Sequence, residues 1–206
     1  MAWRHVGTLA LTLLFAACAT GDGASGFINA SVAAVFIPLA KGIIPENYGA
    51  AVVIAPGIAV TNGHNINLVD SDTIIGRSQH YDMLFFRPKI APLPLPTAAP
   101  VPDEPVIAYG FFDDLRVAQG VVRTLHAPVT PICAGCAMQE GFTYEADAGP
   151  GFSGGPVLDA KTGRLVGITF GYLDDEYRHR LMYAYDMGQV FAELARIQAT
   201  AGARNP

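Results

Sequence analysis

The residues whose types and spacing most clearly suggest catalysis form a glycine-rich string around one serine, Ala148-Gly-Pro-Gly-Phe-Ser-Gly-Gly-Pro-Val157. Glycine adopts positive φ at low cost and lets the backbone approach a ligand closely. The N–H groups of Gly151 and Ser153 could therefore point into one small space and hold the oxyanion of a tetrahedral intermediate. The alternative is a glycine-rich hairpin turn with an idle serine, which the specific pattern G-x-S-G-G-P disfavours.

A serine hydroxyl is a weak nucleophile, so the chain must also supply a base. The chain contains five histidines. His64 is the best candidate, because it follows a hydrophobic strand at the point where the sequence changes to small polar residues. A lone histidine is more often structural or on the surface, so its context must decide.

That context is a resemblance to a known family. The segment Gly49–His64 resembles the part of bacterial trypsin-like peptidases in which a glycine-rich strand, a Pro-Gly turn and a second strand end in T-A-A-H. The string His80-Tyr-Asp-Met-Leu-Phe85 resembles their acid-bearing strand, which assigns the acid to Asp82. Glu104–Gly110 resembles the strand that opens their second barrel, and Leu165–Gly171 resembles the strand beside which substrate lies. The chain order His, Asp, Ser is that of the chymotrypsin fold.

The resemblance implies an all-β fold: two packed antiparallel β-barrels of the six-stranded type, followed by a C-terminal α-helix. It also implies a serine endopeptidase that acts on polypeptides through an acyl-enzyme and needs no cofactor or metal. His64 would take the proton of Ser153, and Asp82 would fix the tautomer of His64. Two alternatives remain at this point: a peptidase-like binding module that has lost activity, and an esterase with the same site.

Three features depart from the family pattern. The string Thr61-Asn-Gly-His64 has Asn-Gly where the family has Ala-Ala. Phe152 stands where animal trypsins carry an Asp that pairs with a newly freed N-terminus, so that activation switch is not implied. Asp82 follows His64 by only 18 positions, which is short for the family. Asp70 and Asp72 are therefore the alternatives for the acid, although neither precedes an apolar strand of this kind.

The resemblance also suggests where substrate binds. Asp147 lies six residues before Ser153, the offset that puts an Asp at the floor of the primary pocket in trypsins. A buried carboxylate there would select a substrate Lys or Arg. A gap of one or two residues would instead make Asp147 a loop acid. The other predicted pocket and substrate-strand residues are Thr169, Phe170 and Gly171.

Short apolar runs punctuated by Gly and Pro indicate strands rather than helices. The predicted strands are Val32–Ile37, Gly49–Ile54, Ile58–Thr61, Thr73–Ile75, Met83–Phe86, Val106–Tyr109, Gln119–Leu125, Gly141–Tyr144, Gly155–Leu158, Leu165–Phe170 and Leu181–Tyr185. One helix is predicted over Asp186–Thr200, with Gln189 at the capping-box position. We expect a first barrel over residues 31–87, a proline-rich crossover over 88–105, and a second barrel with the helix over 106–200. Periodicity alone does not distinguish two barrels from a sandwich.

The N-terminal residues 1–19 predict a secretory signal. Arg4 supplies a positive charge, and Val6–Ala17 is an apolar run of twelve residues, which is too short to span a bilayer. Cys18 lies where a lipobox needs the lipidated cysteine, whereas Ala-Cys-Ala around it also fits ordinary A-x-A cleavage. Residues 20–30 predict a flexible tether. We therefore expect an exported protein of a bacterial envelope, with membrane contact only through an N-terminal lipid.

The remaining cysteines, Cys133 and Cys136, form an even pair once Cys18 is set aside. In an oxidising compartment a disulfide is the plain interpretation, with free thiols and a metal or redox site as alternatives. The net charge is −5 and no run of Lys or Arg is present. This charge pattern excludes the basic surface of a typical nucleic-acid-binding protein.

Overall fold

A computed structural model of the chain describes residues 29–41, 48–129, 139–174 and 180–202. Antiparallel strands in two sheets make up most of the regular secondary structure of the described chain. A short helix, α1 (Ala30–Val35), precedes the strands, and a long helix, α2 (Met187–Gly202), follows them.

The first sheet contains five strands in the order β1-β2-β3-β5-β4. These strands are β1 (Phe36–Ala40), β2 (Tyr48–Ala55), β3 (Ile58–Thr61), β4 (Ile74–Arg77) and β5 (Leu84–Phe86). Pro38 lies in β1 opposite Ala50 of β2. Proline is accommodated because β1 is an edge strand, where one side of the backbone needs no ladder partner.

The second sheet contains seven strands in the order β12-β11-β10-β6-β7-β9-β8, and a further pairing joins β12 to β9. These strands are β6 (Pro105–Phe112), β7 (Asp114–Val122), β8 (Ala127–Val129), β9 (Gln139–Ala146), β10 (Pro156–Asp159), β11 (Leu165–Asp174) and β12 (Arg180–Asp186). The extra pairing closes six of them into a barrel and leaves β8 outside. The predicted all-β fold with a C-terminal helix is confirmed, although the described part of the first sheet has five strands.

The strand predicted over Val32–Ile37 is wrong for most of its length. The side chain of Asn29 accepts a hydrogen bond from the Ser31 N–H at 2.8 Å and caps α1. Capping by Asn stabilises a helix start and here outweighs the β-propensity of the apolar run. The short helix buries Val32 and Val35, so the apolar pattern is satisfied in a helix as well.

The proline-rich segment predicted as a crossover over residues 88–105 contains no strand before Pro105, where β6 begins, but it bonds to the second sheet at two places. Near its end, the Asp103 N–H donates to the Val122 carbonyl at 2.9 Å, and the Val122 N–H donates to the Glu104 carbonyl at 3.0 Å. Thr97 forms a parallel bridge with Leu165. The Leu165 N–H donates to the Pro96 carbonyl at 2.9 Å, and the Ala98 N–H donates to the Leu165 carbonyl at 3.1 Å. Pairing is possible there because a proline still supplies a carbonyl and Ala98 retains its N–H.

The C-terminal helix α2 begins with the predicted capping box. The Gln189 N–H donates to Asp186 Oδ1 at 2.9 Å, and the Asp186 N–H donates to Gln189 Oε1 at 3.0 Å. Val190 and Leu194 are buried in the main core. In the described residues, neither helix is long and apolar enough to cross a membrane.

One buried hydrophobic cluster spans both sheets. Val53 and Phe85 of the first sheet belong to the same buried cluster as Ile168 and Tyr185 of the second. Because the core crosses from one sheet to the other, side chains at their boundary are held at defined positions. The candidate site lies at this boundary.

Candidate active site

His64 and Asp82 form a close pair. His64 is the second residue of the 3₁₀ segment Gly63–Leu68, which follows β3 after one residue. Its Nδ1 lies 2.5 Å from Asp82 Oδ2, and its backbone N–H donates to Asp82 Oδ1 at 2.9 Å. The Asp82 side chain is 2% exposed and the His64 side chain is 41% exposed. A buried carboxylate on Nδ1 favours the tautomer with its proton there, so Nε2 becomes the proton acceptor.

The main chain of Asp82 is held from two sides. Asn62 Nδ2 donates to the Asp82 carbonyl at 3.1 Å, and the Asp82 N–H donates to the Tyr185 hydroxyl oxygen at 3.1 Å. The Tyr185 ring is buried against Phe170, with centroids 4.0 Å apart. Burial raises the pKa of the Tyr185 phenol, so it stays protonated at neutral pH. A side chain on Gly63 would collide with this pair, because its Cβ would lie 2.8 Å from Asp82 Oδ1.

The turn that carries Ser153 depends on two glycines. Gly151 and Gly154 adopt φ of 88° and 81°, which side chains disfavour. The Gly154 N–H donates to the Thr169 carbonyl at 2.8 Å and fixes the turn to β11. The N–H groups of Gly151 and Ser153 donate to no acceptor among the described residues. Two unused donors beside a serine are what an oxyanion site requires.

The Ser153 turn packs directly on the strands that lead to His64. The Ala50 N–H donates to the Ser153 carbonyl at 2.9 Å. A Cβ on Gly154 would lie 2.2 Å from both the Ala50 carbonyl oxygen and Thr61 Oγ1. The turn therefore lies so close to the end of β3, three residues before His64, that no side chain fits at Gly154.

The family model for a trypsin-like peptidase domain matches residues 49–168, more than half of the chain. The chain belongs to the trypsin-like peptidase family. The match runs from β2 into β11 and includes His64, Asp82 and Ser153. The peptidase has no significant match among curated proteins.

Solved structures of proteases share the fold. The active form of the Rv3671c protease from M. tuberculosis has a TM-score of 0.66 and 23% identity, covering 82% of each chain. The MamO protease domain from Magnetospirillum magneticum has a TM-score of 0.60 and 16% identity, covering 79% of this peptidase and 96% of that domain. The HtrA-type protease AlgW with tripeptide has a TM-score of 0.59 and 19% identity, covering 82% of this peptidase and 60% of AlgW.

The residues predicted on the substrate strand lie in different environments. Thr169 is buried, and its hydroxyl lies 2.7 Å from that of Tyr144, whose phenol pKa is raised by burial. Phe170 is 1% exposed, so its side chain packs in the core of the peptidase. Gly171 is half-buried and lies at a register shift between β11 and β12.

Asp147 is exposed and lines a cleft of about 340 Å³. The guanidinium of Arg180 lies against the same loop, and its Nη1 donates to the Ala148 carbonyl at 3.0 Å. The same guanidinium lies 5.6 Å from the ring centroid of Tyr172. The buried carboxylate that would select Lys or Arg is therefore not present at this position, and a solvated carboxylate selects a cation weakly.

Asp70 and Asp72, the alternatives to Asp82, form no hydrogen bond or ion pair with His64 among the described residues. Asp70 Oδ2 pairs with Lys89 Nζ at 3.0 Å, and Asp72 is exposed in the 3₁₀ segment Ser71–Thr73. Cys18, Cys133 and Cys136 lie outside the described residues, so the predicted lipidation and disulfide stay predictions.

Sequence reasoning missed three polar residues around the pair and the turn. Tyr185 holds Asp82, and the Asn65 amide contacts the Ser153 carbonyl at 3.0 Å. Glu193 of α2 is 1% exposed and accepts from Ser78 Oγ at 2.7 Å, in the turn before Asp82. The position of Asn65 directly after His64 was a usable signal, whereas Tyr185 and Glu193 lie too far along the chain for any local pattern to reveal them.

Proposed function

We propose that this trypsin-like peptidase is a serine endopeptidase in which Ser153 is the nucleophile, His64 the general base and Asp82 the residue that orients His64. One observation carries the proposal: a buried carboxylate holds the His64 ring on a loop against which the Ser153 turn packs. The family supports polypeptides as the substrates.

The proposed reaction follows triad chemistry. Ser153 Oγ attacks the peptide carbonyl carbon while its proton passes to His64 Nε2, and the carbonyl oxygen becomes an oxyanion. The N–H groups of Gly151 and Ser153 stabilise that charge, and each such donor contributes about 3 kcal/mol. The imidazolium, stabilised by Asp82, then protonates the leaving amine, and the peptide C–N bond breaks. Water attacks the acyl-enzyme in the same manner and returns the proton to Ser153.

We also propose that the protein is exported to a bacterial envelope. The support is the sequence of residues 1–19, with a positive Arg4 before an apolar run that is short for a transmembrane helix. Lipidation at Cys18 or cleavage after Ala19 would each give a mature chain beginning near this point. Mass measurement of the mature N-terminus in a bacterial expression host distinguishes the two.

Fluorophosphonate labelling tests the proposed triad, because only a serine activated by a base reacts quickly with the probe. We expect the wild-type chain to be labelled at Ser153 and to hydrolyse a fluorogenic protein substrate. Ser153→Ala and His64→Ala should abolish both activities while the far-UV circular dichroism spectrum is retained. A folded wild-type chain that is not labelled would instead favour the inactive binding module.

Asp82→Asn tests the acid. It should reduce kcat by about 10⁴-fold, the effect of this change in the trypsin-type triad, because the amide favours the wrong His64 tautomer. Asp70→Asn is the matched control, since it makes the same change in an exposed acid paired with Lys89. Near-wild-type activity in Asp82→Asn, or a comparable loss in Asp70→Asn, would show that the acid is misassigned.

A further inference from the structure

The side chain of Asn65 connects the loop of His64 to the nucleophile turn. Asn65 is 3% exposed and lies in the 3₁₀ segment Gly63–Leu68, directly after His64. Its Nδ2 donates to Thr61 Oγ1 at 2.9 Å and to the Ser153 carbonyl at 3.0 Å. Ser153 lies 88 residues further along the chain and belongs to the second half of the molecule. A single amide group therefore joins the backbone of the nucleophile to the segment that carries the base.

The surrounding hydrogen bonds require an amide at this position. Thr61 Oγ1 donates its one proton to the Ala50 carbonyl at 2.7 Å, so it must accept from Asn65. The Ser153 carbonyl is also an acceptor. The atom between these two oxygens must supply two protons, which a side-chain NH₂ does and a carboxylate does not.

The absence of a side chain at Gly49 of β2 leaves space for the Asn65 amide. A Cβ on Gly49 would lie 2.8 Å from Asn65 Nδ2 and 2.9 Å from its Oδ1. Any side chain at this position of β2 would displace the amide. The Ser153 carbonyl also receives the Ala50 N–H at 2.9 Å, so it has two donors, both from the first half of the chain.

We propose that Asn65 is a positioning residue that sets the distance between Ser153 and His64. It acts through the main chain of Ser153 and not through contact with substrate. The inference rests on the proposed function, because it concerns proton transfer between these two residues. A misplacement of about 1 Å in a reacting pair reduces the rate by roughly 100-fold, and removing one of the two donors to the Ser153 carbonyl permits such a shift.

Two variants remove the amide in different ways. Asn65→Asp is nearly isosteric but replaces both N–H donors by an acceptor that repels the Ser153 carbonyl. Asn65→Ala removes the donors without adding a charge and keeps the Ala50 bond, so it provides the test if the Asp variant does not fold. Asn67→Asp is the matched control, since Asn67 is exposed in the same 3₁₀ segment and its side chain has no hydrogen bond with the described residues.

The measurements are the rate constant of fluorophosphonate labelling at Ser153, kcat and KM on a fluorogenic protein substrate, and the Tm of each variant. We expect both Asn65 variants to lose at least about tenfold in kcat and in labelling rate, with KM little changed, because substrate contacts are untouched. Asn67→Asp should remain close to the wild type in all three. The assays are run well below each Tm, so that only folded protein is compared.

The outcomes separate this inference from the proposed function. Labelling of wild type but not of Ser153→Ala, together with wild-type rates in folded Asn65→Ala, overturns the positioning role alone. A lower Tm with unchanged rates also overturns it, because it assigns Asn65 a structural role. If Asn67→Asp loses as much kcat and labelling rate as Asn65→Asp, the effect of Asn65→Asp is due to the added charge near His64. The rates of Asn65→Ala, which adds no charge, then decide whether Asn65 has a positioning role. A wild-type chain that is not labelled overturns both proposals together.

Discussion

Replacement of Gly154 by alanine should disrupt both the stability and the activity of the peptidase. Gly154 has φ of 81°, and a Cβ there would lie 2.2 Å from the Ala50 carbonyl oxygen and 2.2 Å from Thr61 Oγ1. These distances are far below the ~3.5 Å of ordinary non-bonded contact. The alanine can be accommodated only if the Ser153 turn moves away from β2 and β3.

Gly163→Ala provides a matched control for this change. Gly163 has φ of 68°, and a Cβ there would have no atom within 4 Å. Both variants therefore incur the cost of a left-handed alanine, about 1–2 kcal/mol, but only Gly154→Ala adds a steric cost of about 1–3 kcal/mol. Gly154→Ala should destabilise the fold by about 2–5 kcal/mol in total, from the sum of these two ranges.

Denaturant unfolding gives the free energies, and fluorophosphonate labelling reports on Ser153. A shift of roughly 1 Å in the turn should slow labelling by about 100-fold in Gly154→Ala, whereas Gly163→Ala should react at the wild-type rate. The steric reasoning is refuted if the two variants lose the same stability and label at the same rate. In that case the turn of Ser153 does not press on the strands that lead to His64.

Three further predictions concern other parts of the chain. Glu193→Ala should lower the free energy of unfolding by about 1–3 kcal/mol, because the buried Ser78 hydroxyl loses its acceptor. Glu193→Gln keeps an acceptor oxygen for Ser78, so an equal loss of stability in that variant would argue against this cause. If the proposed export holds, Cys133 and Cys136 should form a disulfide and resist alkylation without reduction, with little effect on stability because the loop is so short. Two alkylated thiols in the mass spectrum would exclude the disulfide. Asp147→Ser should leave the cleavage preference in a peptide library unchanged, because Asp147 is exposed. If the variant instead loses a preference for Lys or Arg, Asp147 does determine specificity.

The sequence alone predicted the all-β type of fold and most of the local elements. Short apolar runs between Gly and Pro predicted most of the strands, because alternation and turn chemistry are local properties. The start of α2 was predictable for the same reason, because the reciprocal hydrogen bonds of Asp186 and Gln189 join residues only three positions apart. The turn around Ser153 was likewise predictable, because the positive φ angles of Gly151 and Gly154 are ones that glycine adopts at low cost.

Only the tertiary structure decided which distant side chains meet. Asp82 faces His64 because β5 pairs with β3 in a register set by the whole sheet, and no local pattern excluded Asp70. Burial was equally inaccessible from sequence: Asp147 occupies the offset expected of a pocket acid yet faces solvent. The contact between Asn65 and Ser153 spans 88 residues and exists only because the two halves pack on one core. Hydrogen bonds of this kind depend on the relative placement of whole sheets, which the sequence around either partner does not encode.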